Sequence, residues 1–232
     1  MWKEQIFNQA KQEDRTTLTE IESKELLKEA GIPVTDTRLA RTEKEAISLS
    51  KEIGFPVVLK IVSPDVLHKT DSGGVKLSLR NAYQVRNAYH EILSSIRKSF
   101  PQANILGVSV QKMARQGVEV IIGMTKDPQF GPVLMFGLGG ILVELLEDVS
   151  FRIIPLNRID ARDMISEIKG YPLLEGYRGQ EGVSISTLQN IIMVTSEFVD
   201  HTPEIRELDL NPIFAHKDGA IAVDARIILE RW

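Results

Sequence analysis

The sequence predicts an α+β protein. Cap and stop residues punctuate several helices, and short β-branched or apolar runs lie between them. The two kinds of element mix without the strict βαβ repeat of a doubly wound sheet. No internal repeat and no low-complexity linker occurs.

In chain order, Thr19 with Glu22 three residues later has the pattern of a capping box, and Gly31 stops that helix. Thr42 with Glu45 repeats the device, with Gly54 as the stop. The runs from Val57 to Val62 and from Val75 to Leu79 read as strands. Asn81 caps a long helix that Pro101 prevents from continuing beyond Phe100. Ile105 to Val110, Val118 to Met124 and Val133 to Phe136 are further strands. Ser186 with Gln189 caps a helix whose Leu188, Ile191, Ile192, Thr195, Phe198 and Val199 share one buried face. Leu208 to Phe214 and Ala220 to Arg226 complete the set, and a domain boundary is expected between Phe100 and Asn104.

Composition narrows the function. With 232 residues, 43% hydrophobic and 26% charged, the chain can bury a core and is not a disordered tail. The 28 basic and 32 acidic residues give a net charge of -4, and no long Lys/Arg run is present, so no nucleic-acid partner is expected. The absence of cysteine excludes disulfides, thiolate metal sites and cysteine nucleophiles. The longest uncharged run, Pro128 to Val143, contains Gln129, Pro132 and four glycines. It falls short of the roughly 18 apolar residues of a spanning helix, and the charged N-terminus lacks an apolar signal core. The expectation is a soluble, cytoplasmic protein with no membrane partner.

The segment Ser63 to Gly74 joins two strands and places His68 and Lys69 among Pro, Asp, Ser and Gly. His68 reads either as a solvated loop histidine or as a nucleophile and proton carrier. In the second reading, Lys69, Thr70 and the amides of Gly73 and Gly74 would hold phosphate oxygens. Lys60, which closes the apolar run Phe55 to Leu59, either snorkels from a strand end or presents a fixed cation to a phosphate. In Phe136-Gly137-Leu138-Gly139-Gly140-Ile141 the third glycine of a dinucleotide fingerprint is replaced by Leu142. With no P-loop and no G-x-S-x-G either, a dehydrogenase, a P-loop NTPase and a serine hydrolase are each disfavoured. The glycines serve either a tight turn with close backbone packing or ligand contact.

The C-terminal region gives the clearest geometry. Leu208-Asp209-Leu210-Asn211 alternates apolar and polar, as does Ile221 to Arg226, around the turn signal His216-Lys217-Asp218-Gly219. A turn centred between Lys217 and Asp218 sets Asn211 opposite Asp224. Asp209 shares that face and Arg226 is nearby, while Leu208, Leu210, Ile221 and Val223 point into the core. Hard oxygens so placed suit Mg²⁺, which takes one or two protein ligands and completes its shell with water and nucleotide phosphate. A hairpin with a solvated polar face is the competing reading. Pro212 marks an edge or a break in its strand.

Phe55-Pro56-Val57-Val58-Leu59-Lys60, the stretch Ser63 to Gly74, Phe136 to Leu156, and Glu207 to Pro212 occur in one order. Together they resemble the ATP-grasp β subunit of the ADP-forming (NDP-forming) acyl-CoA synthetases, typified by archaeal acetyl-CoA synthetase. The resemblance runs from Thr19 to Trp232, and the His-Lys-Thr-Asp-x-Gly-Gly core is its most diagnostic part. It implies an ATP-grasp fold with nucleotide bound between two α+β lobes. On that basis residues 1–18 are an N-terminal extension, 19–104 the lobe with the phosphohistidine loop, and 105–232 the lobe with the metal-binding hairpin.

The resemblance implies an acid-thiol ligase in which acyl-CoA, ADP and phosphate give acid, CoA and ATP. A histidine on a partner α subunit is phosphorylated by an acyl phosphate and relays the group to a histidine matching His68, which hands it to ADP. By the same matching Asp209 orients the imidazole, and Lys60 contacts nucleotide phosphates. Gln111, Lys112 and Met113 border the adenine, Glu119 lies near the ribose, and Arg152 contacts phosphate. Asn211 and Asp224 bind Mg²⁺. No CoA-binding Rossmann domain is recognisable, so an α subunit with that domain and the first histidine is expected, in an α2β2 heterotetramer. The ends, Met1 and Trp232, predict a free subunit, and acyl specificity is expected to lie largely with the partner. Two other classes are weighed against this: a carboxylate-amine ligase that dispenses with His68, and a non-catalytic nucleotide-binding regulatory domain without phosphoryl transfer.

Overall fold

The computed structural model describes residues 2–66, 69–140, 148–179 and 181–231. The helices there are α1 (Trp2–Gln12), α2 (Glu20–Glu29), α3 (Glu43–Ile53), α4 (Ala82–Ser99), α5 (Arg158–Glu167), α6 (Tyr171–Glu175) and α7 (Ile185–Asp200). The strands are β1 (Thr37–Ala40), β2 (Val57–Val62), β3 (Val75–Leu79), β4 (Gly107–Lys112), β5 (Val118–Asp127), β6 (Gly131–Leu138), β7 (Val149–Ile153), β8 (Ile205–His216), β9 (Gly219–Ala222) and β10 (Ala225–Leu229). They form two compact units, one of residues 19–21 and 35–114, the other of 1–18, 22–34 and 115–232.

The smaller unit is an antiparallel sheet in the order β1-β4-β2-β3, with α3 and α4 on one face. The caps act as the sequence predicts. Thr42 accepts a hydrogen bond from the Glu45 amide, Asn81 accepts one from the Gln84 amide, and Gly54 ends α3 at φ +83°. Ala46, Val85, Ala88, Ile92 and Ile96 of the helices form a core with Leu59, Ile61, Val108 and Val110 of the sheet. Central β2 is buried on both faces, which takes Lys60 out of solvent along with its apolar neighbours.

The larger unit is an antiparallel sheet in the order β10-β8-β5-β6-β7, with β9 also on β8. Its inward rows, among them Ile122, Leu134, Phe136, Leu208, Leu210 and Ile227, pack with Met164 and Ile165 of α5 and Leu188 and Ile192 of α7. Ile122 lies at the middle of central β5 and is fully buried. Ile122→Ala should therefore destabilise the protein by about 2–5 kcal/mol, the usual cost of such a truncation. Thermal or urea unfolding measures this, and a loss confined to a few tenths would mean the core closes over the cavity.

Several boundaries differ from the sequence reading. Residues 1–18 are a packed part of the larger unit, since Ile6, Phe7, Ala10 and Leu18 belong to its core. The Leu18 amide donates to the Ile227 carbonyl and the Leu229 amide to the Thr16 carbonyl, so this segment runs beside β10. The division falls after Ala114 rather than Asn104, because β4 pairs with β1 and β2. The cap of α7 is Ser184, whose hydroxyl accepts from the Thr187 amide, two residues before the expected Ser186. Strands β1 and β7 and helices α1, α5 and α6 add to the expected set. No helix among the described residues is long and apolar enough to cross a membrane.

Candidate functional site

In the smaller unit the sequence candidates gather around Lys60. Its ammonium donates to Glu20 Oε1 at 2.8 Å, and Lys69 donates to Glu20 Oε2 at 2.7 Å. Side-chain exposure is 5% for Lys60 and 2% for Glu20, so this pair is desolvated, and Lys60 does not snorkel. His68 lies outside the described residues. The nearest described residues on either side are Val66, which is buried in the core, and Lys69, which donates to Glu20.

Gly73 and Gly74 correct the expectation that their amides hold phosphate. The Gly73 amide donates to the Thr70 carbonyl and the Gly74 amide to the Lys69 carbonyl, at 3.0 and 2.7 Å. A Cβ on Gly74 would come within 2.7 Å of Ile61, and one on Gly73 within 2.6 Å of the Ser95 hydroxyl. This glycine pair lets the loop return against β2 and α4, which is a packing role.

Gln111 is fully buried on the same face of the sheet as Lys60, since Val58 pairs with Gln111 and Lys60 with Ser109. Its Oε1 accepts from the Thr37 hydroxyl at 3.1 Å. Lys112 points to the opposite, helix-bearing face, where its ammonium donates to the carbonyls of Gly54 and Phe55 at 2.7 and 2.9 Å. Those are carbonyls at the C-terminal end of α3, where a cation is favoured. These contacts occupy the Lys112 ammonium, while its backbone continues the strand between Gln111 and Met113. The Met113 amide donates to the Pro56 carbonyl.

In the larger unit the hairpin register is the one read from the sequence. His216 pairs with Gly219, Leu210 with Ala225 and Asp209 with Arg226, and the Val223 amide donates to the Pro212 carbonyl. Asn211 therefore falls opposite Asp224. The core side of the hairpin differs from the reading: Leu208 and Leu210 are buried, but beyond the break it is Ala220 and Ala222, not Ile221 and Val223, that face inward. The β5–β8 register shifts between Val120 and Ile122, opposite Asn211-Pro212. One extra residue on β8 reverses which positions face inward. Proline, with no amide to give the ladder, sits at that shift.

On the open face of the sheet Asp209 is flanked by Arg226 on β10 and Gly123 on β5, followed by Met135 and Phe151 on β6 and β7. Among the described residues the Asp209 carboxylate accepts no hydrogen bond, and Arg226 Nη2 is 3.8 Å away. Burial pushes its pKa above the usual aspartate value, Arg226 pulls it down, and Asp224 adds to the rise. Asp209 is thus a carboxylate with accepting capacity in reserve. Asn211 is exposed, and Asp224 is half-buried and accepts from the Ala225 amide at 2.9 Å. Among the described residues no group of three or more His, Cys, Asp or Glu is placed to hold a metal ion. Two facing oxygen donors with a further carboxylate nearby fit a cation that draws the rest of its shell from phosphate and water.

The remaining candidates divide. Gly139 and Gly140 wrap Glu119: the Gly139 amide donates to the Glu119 carbonyl at 2.7 Å, and a Cβ on Gly140 would stand 3.0 Å from Glu119 Oε2. A Cβ on Gly137 would strike Val149 at 2.7 Å. Close backbone packing, one of the two readings of this glycine run, thus accounts for its described part. Arg152 is a correction. It pairs with inward-facing Leu134, so it lies on the face of the sheet opposite Asp209, and its guanidinium binds Glu167 of α5 and the Phe151 carbonyl. The sequence reading also missed Glu20. An acid in the first turn of a helix is common for electrostatic reasons alone, so nothing in the sequence set it apart.

A family profile described as an ATP-grasp domain matches residues 9–229. The β subunit of ADP-forming acetate–CoA ligase I from Pyrococcus furiosus is 52% identical over 225 residues, covering 97% of this chain and 97% of that protein. The acetyl-coenzyme A synthetase 1 of Ca. Korarchaeum cryptofilum, solved with coenzyme A and Ca-AMPCP, superposes at a TM-score of 0.95 with 50% identity, covering 97% of this chain and 99% of that one. Another structure of that synthetase, with coenzyme A and Mg-AMPPCP and its phosphohistidine segment pointing towards the nucleotide binding site, gives 0.86 at 48% identity over 97% and 99%. The chain belongs to the ATP-grasp family, in the group formed by the β subunits of ADP-forming acetate–CoA ligases.

Proposed function

We propose that this chain is the nucleotide-binding β subunit of a cytoplasmic ADP-forming acyl-CoA synthetase, acetyl-CoA being the substrate that its relatives' names support. It works with an α subunit that supplies the CoA site and the first phosphohistidine, in an α2β2 assembly. In the overall reaction phosphate displaces CoA from the acyl group, and the phosphoryl group of the acyl phosphate moves to a histidine of the partner, releasing the acid. His68 then takes the phosphoryl group and passes it to the terminal phosphate oxygen of ADP.

The observation that carries this reading is the open hairpin face. It holds Asp209 with accepting capacity in reserve, and Asn211 opposite Asp224 on a rigid sheet. Asp209 offers an acceptor to the N–H of a phosphorylated imidazole and favours the charged ring as the phosphoryl group is exchanged. Asn211 and Asp224 would hold Mg²⁺, whose charge would offset that of the phosphates during transfer. Lys60 meets the nucleotide phosphates, Gln111 and the Met113 backbone border the base, and Glu119 lies toward the ribose.

Asp224→Ala is expected to weaken Mg-ADP binding by about tenfold or more, the scale of one charged ligand's loss. Binding of ADP without metal should change little. Calorimetric titration with and without Mg²⁺ separates the two, and equal losses would assign Asp224 a purely structural role. For the reading as a whole, the isolated chain should bind Mg-ADP yet make no ATP from acetyl-CoA and phosphate until an α partner is added. ATP synthesis by the lone chain would overturn it.

A further inference from the structure

We propose that Lys24 is a positioning residue for the metal site, giving the Val223 carbonyl the hydrogen bond that Pro212 cannot give and so fixing the peptide plane from which Asp224 projects. The inference rests on the reading of Asp224 as a Mg²⁺ ligand. Asp224 lies in a break between strands, since β9 ends at Ala222 and β10 begins at Ala225. Across that break Ile213 faces Ala222 and Leu210 faces Ala225, which sets Pro212 opposite Val223.

The Val223 amide donates to the Pro212 carbonyl at 2.9 Å, so the two form a hydrogen-bonded pair of the antiparallel kind. Such a pair normally returns a bond from the opposite amide, and proline has no N–H to return. The Val223 carbonyl accepts instead from the Lys24 ammonium, at 2.8 Å. Its carbon is bonded directly to the Asp224 nitrogen, so this contact acts on the planar unit that enters Asp224. With that plane fixed, φ and the side-chain torsions of Asp224 are what remain to aim its carboxylate.

The donor is well anchored. Lys24 is 3% exposed, and Leu26 and Leu27 on the same helix, with Ile32 just after it, belong to the core of the larger unit. The Ala222 amide donates to the Pro33 carbonyl at 2.9 Å, which ties the segment after α2 to the residue before Val223. Lys24, Val223 and Asp224 each make further contacts, which leave this constraint on the Val223–Asp224 peptide in place.

The sign of the effect separates positioning from charge. A buried ammonium beside a cation site repels the cation with little screening, so by charge alone its removal strengthens Mg²⁺ binding. Loss of a group that aims a metal ligand weakens binding, typically by about 10- to 100-fold. Lys24→Met keeps the apolar stem and removes the donor. It should weaken Mg-ADP binding by about tenfold, the lower end of that range, and leave binding of ADP without metal nearly unchanged. The double variant with Asp224→Ala should bind Mg-ADP no more weakly than Asp224→Ala alone, because Lys24 acts through that carboxylate.

Calorimetric titration of the full chain and its variants, with and without Mg²⁺, makes the test. Mg-ADP binding by Lys24→Met at or above the wild-type affinity, equal losses with and without Mg²⁺, or additive losses in the double variant would each overturn the inference. Should Lys24→Met fail to fold, Lys24→Gln carries the same test, since its polar end is neutral and falls one bond short of the carbonyl. If Asp224→Ala itself loses affinity equally with and without metal, the reading of Asp224 as a ligand fails and this inference with it. If Asp224→Ala is selective for the metal complex and Lys24→Met is not, only the role of Lys24 falls.

Discussion

Replacing His68 by Asn is expected to abolish acyl-CoA-dependent ATP synthesis while leaving Mg-ADP binding in place. A covalent nucleophile has no substitute in a relay, and removing one lowers turnover by a factor on the order of 10³–10⁶. The surrounding loop should survive the change. Val66 is buried in the core, Lys69 donates to Glu20, and Gly73 and Gly74 pack against β2 and α4. The measurement is twofold: label from Mg-ATP on the chain, and overall turnover with the α partner. Retained turnover without label would favour the carboxylate-amine ligase reading, which needs no phosphohistidine.

Asp209→Asn should lower turnover by about 10²–10⁴-fold, as for loss of a positioned acid–base partner, and at the same time stabilise the fold. The stability gain follows from the raised pKa of Asp209. Between the ordinary aspartate value and the higher folded value the native state binds more protons than the unfolded chain, so stability falls as pH rises through that window. At neutral pH the ionised carboxylate is therefore a burden on the fold, which the neutral amide removes. The Tm advantage of the variant should shrink as pH is lowered through the same window. The acid limb of wild-type turnover should lie above that of an ordinary aspartate, and Arg226→Gln should move it higher still, because Arg226 is the group pulling this pKa down. An acid limb that ignores Arg226 would separate Asp209 from the chemistry.

What the sequence made legible follows from how local each signal is. The hairpin register needed only a turn and two alternating runs, and Asn211 opposite Asp224 came directly from it. The helix caps Thr42 and Asn81 were equally local. Arg152 was misplaced because β7 is five residues long with no clear alternation, so the face its side chain takes depends on pairing with Leu134. The Gly73 and Gly74 amides were misread because a glycine pair in a loop looks the same whether it cradles an anion or lets α4 approach. Lys112 could not be told from a ligand lysine without knowing that the Gly54 and Phe55 carbonyls end beside it. The division of the chain depended on β4 joining β1 and β2, a pairing between residues 45 to 74 positions apart.

The placement of Glu20 also bears on how such a gene can recombine. The backbone passes between the two units at residues 18/19, 21/22, 34/35 and 114/115, so neither unit is one continuous stretch. A crossover that exchanged residues 35–114 between two relatives would carry Lys60 and Lys69 but inherit Glu20 from the other parent. A fragment cut to those bounds would lose its Glu20 partner altogether, at a cost of about 3–5 kcal/mol for a buried ion pair broken on one side. Residues 40 and 49 positions apart must then be inherited together. That linkage favours transmission of the chain whole, joined to or separated from other domains only outside the span from Glu20 to Lys69.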